Sequence, residues 1–245
     1  QGKHGKAARK AMEIITTLGE IYGSKRLIPV SSVQIAGVSY DNLGEAGLEY
    51  LSEMAEDGQT RVLTTLNPAG MDMLEWKKHG ISEDFAKNQQ RVVDAFEKMG
   101  VVTTCTCTPY LIGNLPHYGE HIAWAESSAV CFANSVIGAF TNREGGPSAL
   151  AAALTGVTAE YGLHLEENRI AQVKYEVHAN LKNTDDFGLL GQIIGNRTGK
   201  TIPYITGVKN ATTEQLKSFS ASIATYGGVA IFHMEGITPN RTTIP

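Results

Sequence analysis

Segments with apolar residues at helical spacing alternate along this chain with short β-branched runs, and that alternation limits the folds open to it. Ala7, Ala8, Ala11, Met12, Ile14, Ile15 and Leu18 mark one face of a first helix, stopped by Gly19, and residues 26–30 follow as a short strand. A second helix is predicted over 44–56, with Leu48, Leu51 and Met54 or Ala55 on one face, ended by Asp57-Gly58; residues 61–66 are again β-rich. Ser82 followed by Glu83 and Asp84 is a good helix start, since a hydroxyl caps free amides and acidic groups suit the positive end of the dipole. That helix carries Phe85, Val92, Val93, Phe96 and Met99 and ends at Gly100; residues 101–107 then read as a strand entering the loop Thr108-Pro109-Tyr110. A helix over 126–137, a turn at Glu144-Gly145-Gly146 and a helix opened by Pro147 come next. Residues 173–177 alternate as a half-buried strand, Thr212 and Gln215 form a capping box for a helix to Thr225, and 229–234 close as a strand. Strands between helices mean α/β layers with parallel strands.

At 245 residues the chain is one large domain or two small ones, and Asn183, Asp185 and Asp186 interrupt the pattern, so a boundary between two subdomains is drawn at 181–186. The longest apolar run, Ala149 to Leu154, is far short of the roughly 18 residues a spanning helix needs, which excludes a membrane span. With 42% hydrophobic and 19% charged residues the chain can bury a core. Its net charge of -4 and its lack of any Lys/Arg block argue against nucleic acid as a partner. Cys105, Cys107 and Cys131 do not make a disulfide framework, and a reducing cytoplasm is the expected compartment. Residue 1 is Gln and the chain stops at Thr243-Ile244-Pro245, so both ends read as cut points of a fragment.

Three features carry chemistry. Cys105 and Cys107 lie at the C-terminal edge of a predicted strand, where ligand sites of open α/β sheets gather, and thiolates suit zinc or iron-sulfur clusters; the alternative is buried structural thiols. Cys131, between Val130 and Phe132, is expected in the core. Glu126, Ser127, Ser128, Asn134, Ser135, Asn142 and Arg143 are a dense polar set inside apolar sequence, and such groups either satisfy one another or face a ligand. Arg143 can hold a carboxylate or phosphate through two parallel hydrogen bonds, or pair with Glu144 or Glu126 on the surface. Of the seven histidines, His117 and His121 are four apart but span Gly119 and make no metal pair, while His164 and His233 are candidates for a polar pocket. The nucleotide-binding glycine loops and Gly-x-Ser-x-Gly are absent from the sequence.

Several blocks together resemble the large subunit of the aconitase X family of iron-sulfur dehydratases. They are Ile35-Ala36-Gly37-Val38-Ser39-Tyr40, Thr64-Thr65-Leu66-Asn67-Pro68, Cys107-Thr108-Pro109-Tyr110, Ile122 to Val130, Ala133-Asn134-Ser135, Thr141 to Pro147 and Tyr161-Gly162-Leu163-His164. They follow the family's order through most of the chain. Gln34-Ile35-Ala36-Gly37 and Asn142-Arg143-Glu144-Gly145-Gly146-Pro147-Ser148 are similar to its archaeal, phosphomevalonate-dehydrating branch, whereas the hydroxyproline branch reads His-Ile-Asp-Gly and Asn-Arg-Tyr-Gly there.

The resemblance implies an α/β fold with aconitase-like layered sheets, the 245 residues being the front portion of a catalytic subunit. It implies a hydro-lyase dehydrating mevalonate 5-phosphate to trans-anhydromevalonate 5-phosphate, a phosphorylated hydroxy acid, in archaeal isoprenoid biosynthesis. The alternatives are cis-3-hydroxy-L-proline dehydration on the same scaffold and a non-catalytic scaffold fragment lacking the cluster. The implied cofactor is a four-iron four-sulfur cluster, with Cys107 the one ligand of three present here and the others in segments beyond Pro245. The implied partner is a small swivelling subunit, forming a heterodimer and carrying the serine base, so no catalytic residue is named in this chain. Substrate binding is assigned to Gln34, Gly37, Ser39, Thr65, Asn67, Glu126, Ser127, Ser128, Asn134, Asn142 and Arg143, with Gly37 letting amides approach an anion and Glu126 orienting Arg143 or a substrate hydroxyl.

Overall fold

The structure is a computed structural model that describes residues 4–239; Gln1 and Thr243-Ile244-Pro245, read above as cut points, lie outside the described residues. It divides into two compact units. One comprises the chain to Leu115 with Ala123–Ala125 and Glu144–Glu160; the other comprises Pro116–Ile122, Glu126–Arg143 and the chain from Tyr161.

In the first unit, helix α1 (Gly5–Ile21) buries Ala7, Ala11, Ile15 and Gly19, a stripe at four-residue spacing. It does not stop at Gly19. A Cβ there would sit 3.4 Å from that of Ala159, so the glycine lets the last turn approach β5 (Val157–Ala159), and the helix runs on to Ile21. β1 (Leu27–Pro29) pairs antiparallel with β5. Helix α2 spans Tyr40–Met54 but has a kink at Gly44, whose φ of 58° and ψ of -169° break the helical path where the sequence pattern begins. The three-stranded sheet has the order β3-β2-β4, all parallel, from β2 (Ser32–Ile35), β3 (Leu63–Leu66) and β4 (Ala123–Trp124). α3 (Glu83–Lys98) starts as the sequence indicates, with Ser82 Oγ accepting from Phe85 N at 3.2 Å. α5 (Gly146–Thr155) opens at Pro147 in its first turn and buries every side chain from Ala149 to Leu154 against α1 and the sheet.

Residues 101–107 are not the strand their β-branched character predicts. Only Val102 bridges to β3, opposite Thr65; beyond it the Thr104 hydroxyl replaces the ladder, donating to Leu66 O at 3.0 Å and accepting from Leu66 N at 3.3 Å. Cys105 then turns the chain with a left-handed φ of 47°.

In the second unit, β6 (Val173–Glu176), β7 (Pro203–Thr206) and β8 (His233–Met234) form a parallel sheet in that order. The strand expected over 229–234 shrinks to its last two residues because Phe232 N is taken by Ser135 Oγ at 2.9 Å and Ala230 O by the Asn134 amide at 3.0 Å. α6 (Thr184–Thr198) and α7 (Thr213–Gly227) pack together through glycine: a Cβ at Gly227 would lie 2.7 Å from Gly195 Cα, and one at Gly191 2.8 Å from Phe219 O. Capping boxes start both helices, Asn183 with Asp186 and Thr212 with Gln215. The stretch 181–186 therefore lies inside this unit and leads into α6. The helix expected over 126–137 is α4 (Ser127–Phe132) followed by a π turn, Ala133–Ile137, that ends at left-handed Gly138. Among the described residues no helix is long and apolar enough to cross a membrane.

Candidate functional site

In the first unit, five of the assigned residues and Cys107 gather at or beyond the C-terminal ends of β2 and β3. Gln34, on β2, stands beside Thr65 on β3 in the parallel register, and both are buried. Gln34 Nε2 donates to Thr106 O at 3.1 Å and approaches Asn67 Oδ1 at 3.5 Å; Thr65 Oγ1 accepts from Asn114 Nδ2 at 2.9 Å. Asn67 N donates to Ile35 O at 2.9 Å, which carries the sheet pattern one residue past β3. Gly37 and Ser39 follow β2, Gly37 with a φ of 76° and Ser39 at the N-cap of α2, where its side chain makes no capping bond. Nothing lies within 4 Å of a Cβ built on Gly37, so its backbone angle, not close approach, calls for glycine. It lines an apolar cavity of about 160 Å³ that also reaches the first turn of α5. The larger clefts of the two units are lined by none of the assigned residues.

Asn114 is the residue the sequence reading missed here. It is 2% exposed and donates to Val33 O at 3.2 Å as well as to Thr65, but Gly113-Asn114 reads in sequence as an ordinary turn pair, which gives no sign of burial.

The second unit holds the remaining assigned residues. Glu126 caps α4: its Oε2 accepts from Ala129 N at 2.7 Å and Ser128 Oγ at 2.5 Å, and its Oε1 from Ser127 Oγ at 3.4 Å. It therefore orients the two serines and its own helix, and among the described residues it forms no ion pair with Arg143. Asn134 is fully buried. Its Nδ2 donates to Thr141 O at 2.9 Å and Ala230 O, and its Oδ1 accepts from Thr141 N at 3.0 Å. Asn142 spans Tyr161 O and Leu163 N at 3.0 and 2.8 Å. Both asparagines thus tie main chain to main chain. Arg143 is exposed and donates one Nη2 bond, 3.1 Å, to Gly228 O; among the described residues it forms no ion pair with Glu144 or Glu126, and the rest of its fork meets no other acceptor there.

A second missed residue, Arg169, is 5% exposed and among the described residues forms no ion pair. Its guanidinium donates to Asn134 Oδ1 and O, Ala139 O and Leu163 O at 2.9 to 3.1 Å and stacks 4.0 Å from the Phe140 centroid. Burial pushes it down to about 10. In sequence it follows Glu166-Glu167-Asn168 and looks like a surface charge. His164 and His233 are both buried; His164 Nδ1 lies 3.0 Å from His121 Nδ1, and His233 Nε2 2.7 Å from Arg169 O, burial holding His233 below the usual imidazole range.

The three thiols differ. Cys131 is fully buried among apolar side chains, and desolvation pushes its thiol up to about 12, in keeping with a core residue. Cys105 is half-buried, and Cys107 is exposed on its turn. Among the described residues no group of three or more His, Cys, Asp or Glu side chains could hold a metal ion. Cys107 fits the role of one thiolate ligand, but the described residues do not make a cluster site by themselves.

The sequence profile of the aconitase X first domain matches residues 1–167, and that of the aconitase X second domain matches 171–245. The chain is 50% identical to the phosphomevalonate dehydratase large subunit of Methanothermobacter thermautotrophicus over 97% of its own length and 60% of that protein. It is 36% identical to the cis-3-hydroxy-L-proline dehydratase of Hypocrea jecorina, over 99% of this chain and 41% of that one. The crystal structure of Thermococcus kodakaraensis aconitase X in its holo-form superimposes with a TM-score of 0.89 at 49% identity, covering 98% of this chain and 60% of that one. The chain therefore spans about 60% of the length of the archaeal relatives it matches. With both domain profiles matched along its length and the fold reproduced in a solved relative, the chain belongs to the aconitase X family.

Proposed function

We propose that this chain is the front portion of a hydro-lyase large subunit that removes water from mevalonate 5-phosphate to give trans-anhydromevalonate 5-phosphate. The observation that carries the reading is the gap in identity: 50% to an archaeal phosphomevalonate dehydratase large subunit against 36% to a cis-3-hydroxy-L-proline dehydratase. The name "large subunit" borne by that relative supports a small-subunit partner, and the cytoplasm is the compartment proposed.

Dehydration of a 3-hydroxy acid takes a weakly acidic α-proton and expels the hydroxyl, so the substrate's anionic groups must be held still while a base and an electrophile act. Arg143 supplies a fixed, permanently charged donor fork for a carboxylate or phosphate. Glu126 holds Ser127 and Ser128 in place at the start of α4, so that their hydroxyls have a defined direction. Cys107 supplies one thiolate to an iron-sulfur cluster whose other ligands lie outside these residues. Such a cluster, when bound, supplies a Lewis acid for the departing hydroxyl. The base is assigned to a serine of the small subunit.

The full-length protein, purified anaerobically with its small subunit, is to be assayed with mevalonate 5-phosphate and with cis-3-hydroxy-L-proline. Turnover of the phosphate supports the reading. Turnover of hydroxyproline alone replaces it with the second activity, and turnover of neither by cluster-loaded protein leaves the scaffold role.

A further inference from the structure

Cys107 rides on a turn whose two ends are each tied to the β2–β3 strand pair by a buried carboxamide. On the entry side, Gln34, 0% exposed on β2, donates to the carbonyl of Thr106, the residue directly before Cys107, at 3.1 Å, while Thr106 N donates to Leu66 O at 3.1 Å. On the exit side, Asn114 donates to Val33 O and Thr65 Oγ1 at 3.2 and 2.9 Å. Between these anchors the turn is closed on itself. Thr108 N donates to Thr106 Oγ1 at 3.2 Å across Cys107, and the N–H groups of Ile112 and Asn114 both reach Pro109 O at 3.1 Å.

These amides are an expensive way to fill a core. Gln34 Oε1 and Asn114 Oδ1 are buried with no hydrogen-bond partner among the described residues, and an apolar side chain of similar shape would avoid that desolvation penalty. What an apolar side chain cannot do is hold the carbonyls of Thr106 and Val33 and the hydroxyl of Thr65, and through them the turn.

We propose that Gln34 and Asn114 are positioning residues for Cys107: a two-point amide clamp that fixes the turn so that its thiolate is presented in one place. This rests on the reading of Cys107 as a cluster ligand. It shifts Gln34 from direct substrate contact to the support of the thiol. Groups that orient a metal ligand without touching the metal commonly matter for affinity by about 10- to 100-fold.

The test uses the full-length protein, prepared anaerobically, as wild type, Gln34→Met, Gln34→Glu and Asn114→Leu, with Gln89→Met as the control. Gln89 is equally buried but serves Val38, Tyr40 and Gly70 instead of the Cys107 turn. Gln34→Glu keeps the shape and loses the donor at pH values where its carboxyl is ionised, and Asn114→Leu, which removes the other anchor, keeps the test open if the methionine variant does not fold. Three quantities are read: iron and sulfide content with the electron paramagnetic resonance spectrum, the iodoacetamide alkylation rate of Cys107 in cluster-free protein by peptide mass, and the urea midpoint. The Gln34 and Asn114 variants should lose cluster affinity by about 10- to 100-fold and alkylate several-fold faster at Cys107. Gln89→Met should lower the urea midpoint and leave the other two readouts alone. Clamp variants that fold, load cluster with the wild-type spectrum and alkylate at the wild-type rate overturn the proposal. A wild-type protein that takes up no cluster overturns the ligand reading instead, and the alkylation rates then judge the clamp alone.

Discussion

Arg169 Nη1 donates to Asn134 Oδ1 at 2.9 Å, joining a buried guanidinium to the π turn that follows α4. The same guanidinium collects Asn134 O and Ala139 O, from the π turn and its exit, and Leu163 O, from the single 3-10 turn at 162–164, so one cation satisfies three main-chain carbonyls of irregular structure. Arg169→Met should cost on the order of 3 kcal/mol by stranding those carbonyls, and Arg169→Lys should recover little because an ammonium lacks the planar fork. Urea unfolding followed by circular dichroism measures both; a loss below about 1 kcal/mol for the methionine variant would falsify the role.

Glu144 is buried just before α5, with Ser148 Oγ donating to its Oε2 at 2.6 Å. Desolvation raises its carboxyl above the usual range. Because the folded-state value lies above the unfolded one, the folded protein binds the extra proton, and stability falls as pH rises through the folded value. Glu144→Gln, which can still accept from Ser148, should therefore stabilise the protein at pH 7.5 by on the order of 1 kcal/mol and lose that advantage near pH 4.5. Urea midpoints of the two proteins at both pH values give the answer; a variant less stable at pH 7.5 than at pH 4.5, relative to wild type, reverses the sign and removes the claim.

Replacing a helix glycine with alanine normally favours the helix by up to about 1 kcal/mol. At Gly191 and Gly195 of α6 the effect should be the reverse. An added methyl group meets Phe219 O at 2.8 Å in the first case and Gly227 N at 3.0 Å in the second, both of them backbone of α7 that cannot rotate away. Gly191→Ala and Gly195→Ala should each destabilise by about 1 to 3 kcal/mol, the range for overpacking. Thermal unfolding of the single variants checks it, and an unchanged or raised Tm would show that the helices separate at little cost.

Arg143 separates stability from binding. Exposed, and bonded only to Gly228 O among the described groups, it should tolerate Arg143→Lys with a stability change within about 0.5 kcal/mol. If Arg143 holds the proposed phosphorylated substrate, the same substitution in the full-length protein with its proposed small subunit should raise KM by an amount corresponding to about 1.5 to 3 kcal/mol, because the planar fork is lost. Unaltered kinetics with normal folding would remove Arg143 from the binding site.

Helix starts were legible in the sequence because capping is local chemistry: Ser82 and the Thr212–Gln215 box act within one turn, and both appear as read. The central strand was not. All four residues of β2 are buried, yet Ser32 and Gln34 are polar, so it lacks the plain apolar run that marks a strand covered on both faces and offers only four residues of alternation. α6 was hidden for the opposite reason: Gly188, Gly191 and Gly195 look like a loop until α7 is there to demand small residues. At the candidate site, Cys107 is marked by its resemblance to the family's Cys-x-Pro-Tyr motif and Arg143 as the one cation of a dense polar set. The polar set around Asn134 and Asn142 was correctly seen as needing partners, but Arg169, which answers part of that need, lies too far along the chain to be paired by eye.

The antiparallel pairing of β1 with β5, Leu27 opposite Ala159, has a meaning for synthesis on the ribosome. The apolar stripe of α1 and the edge of β1 emerge well before α5 and β5, which cover them and come only with residues 146–159. Until then the nascent chain carries an uncovered helix face and an unpaired strand, the surfaces that aggregate or recruit chaperones. The growing polypeptide is thus vulnerable at these surfaces until β5 has been made, and slower translation between β1 and β5 lengthens the exposure.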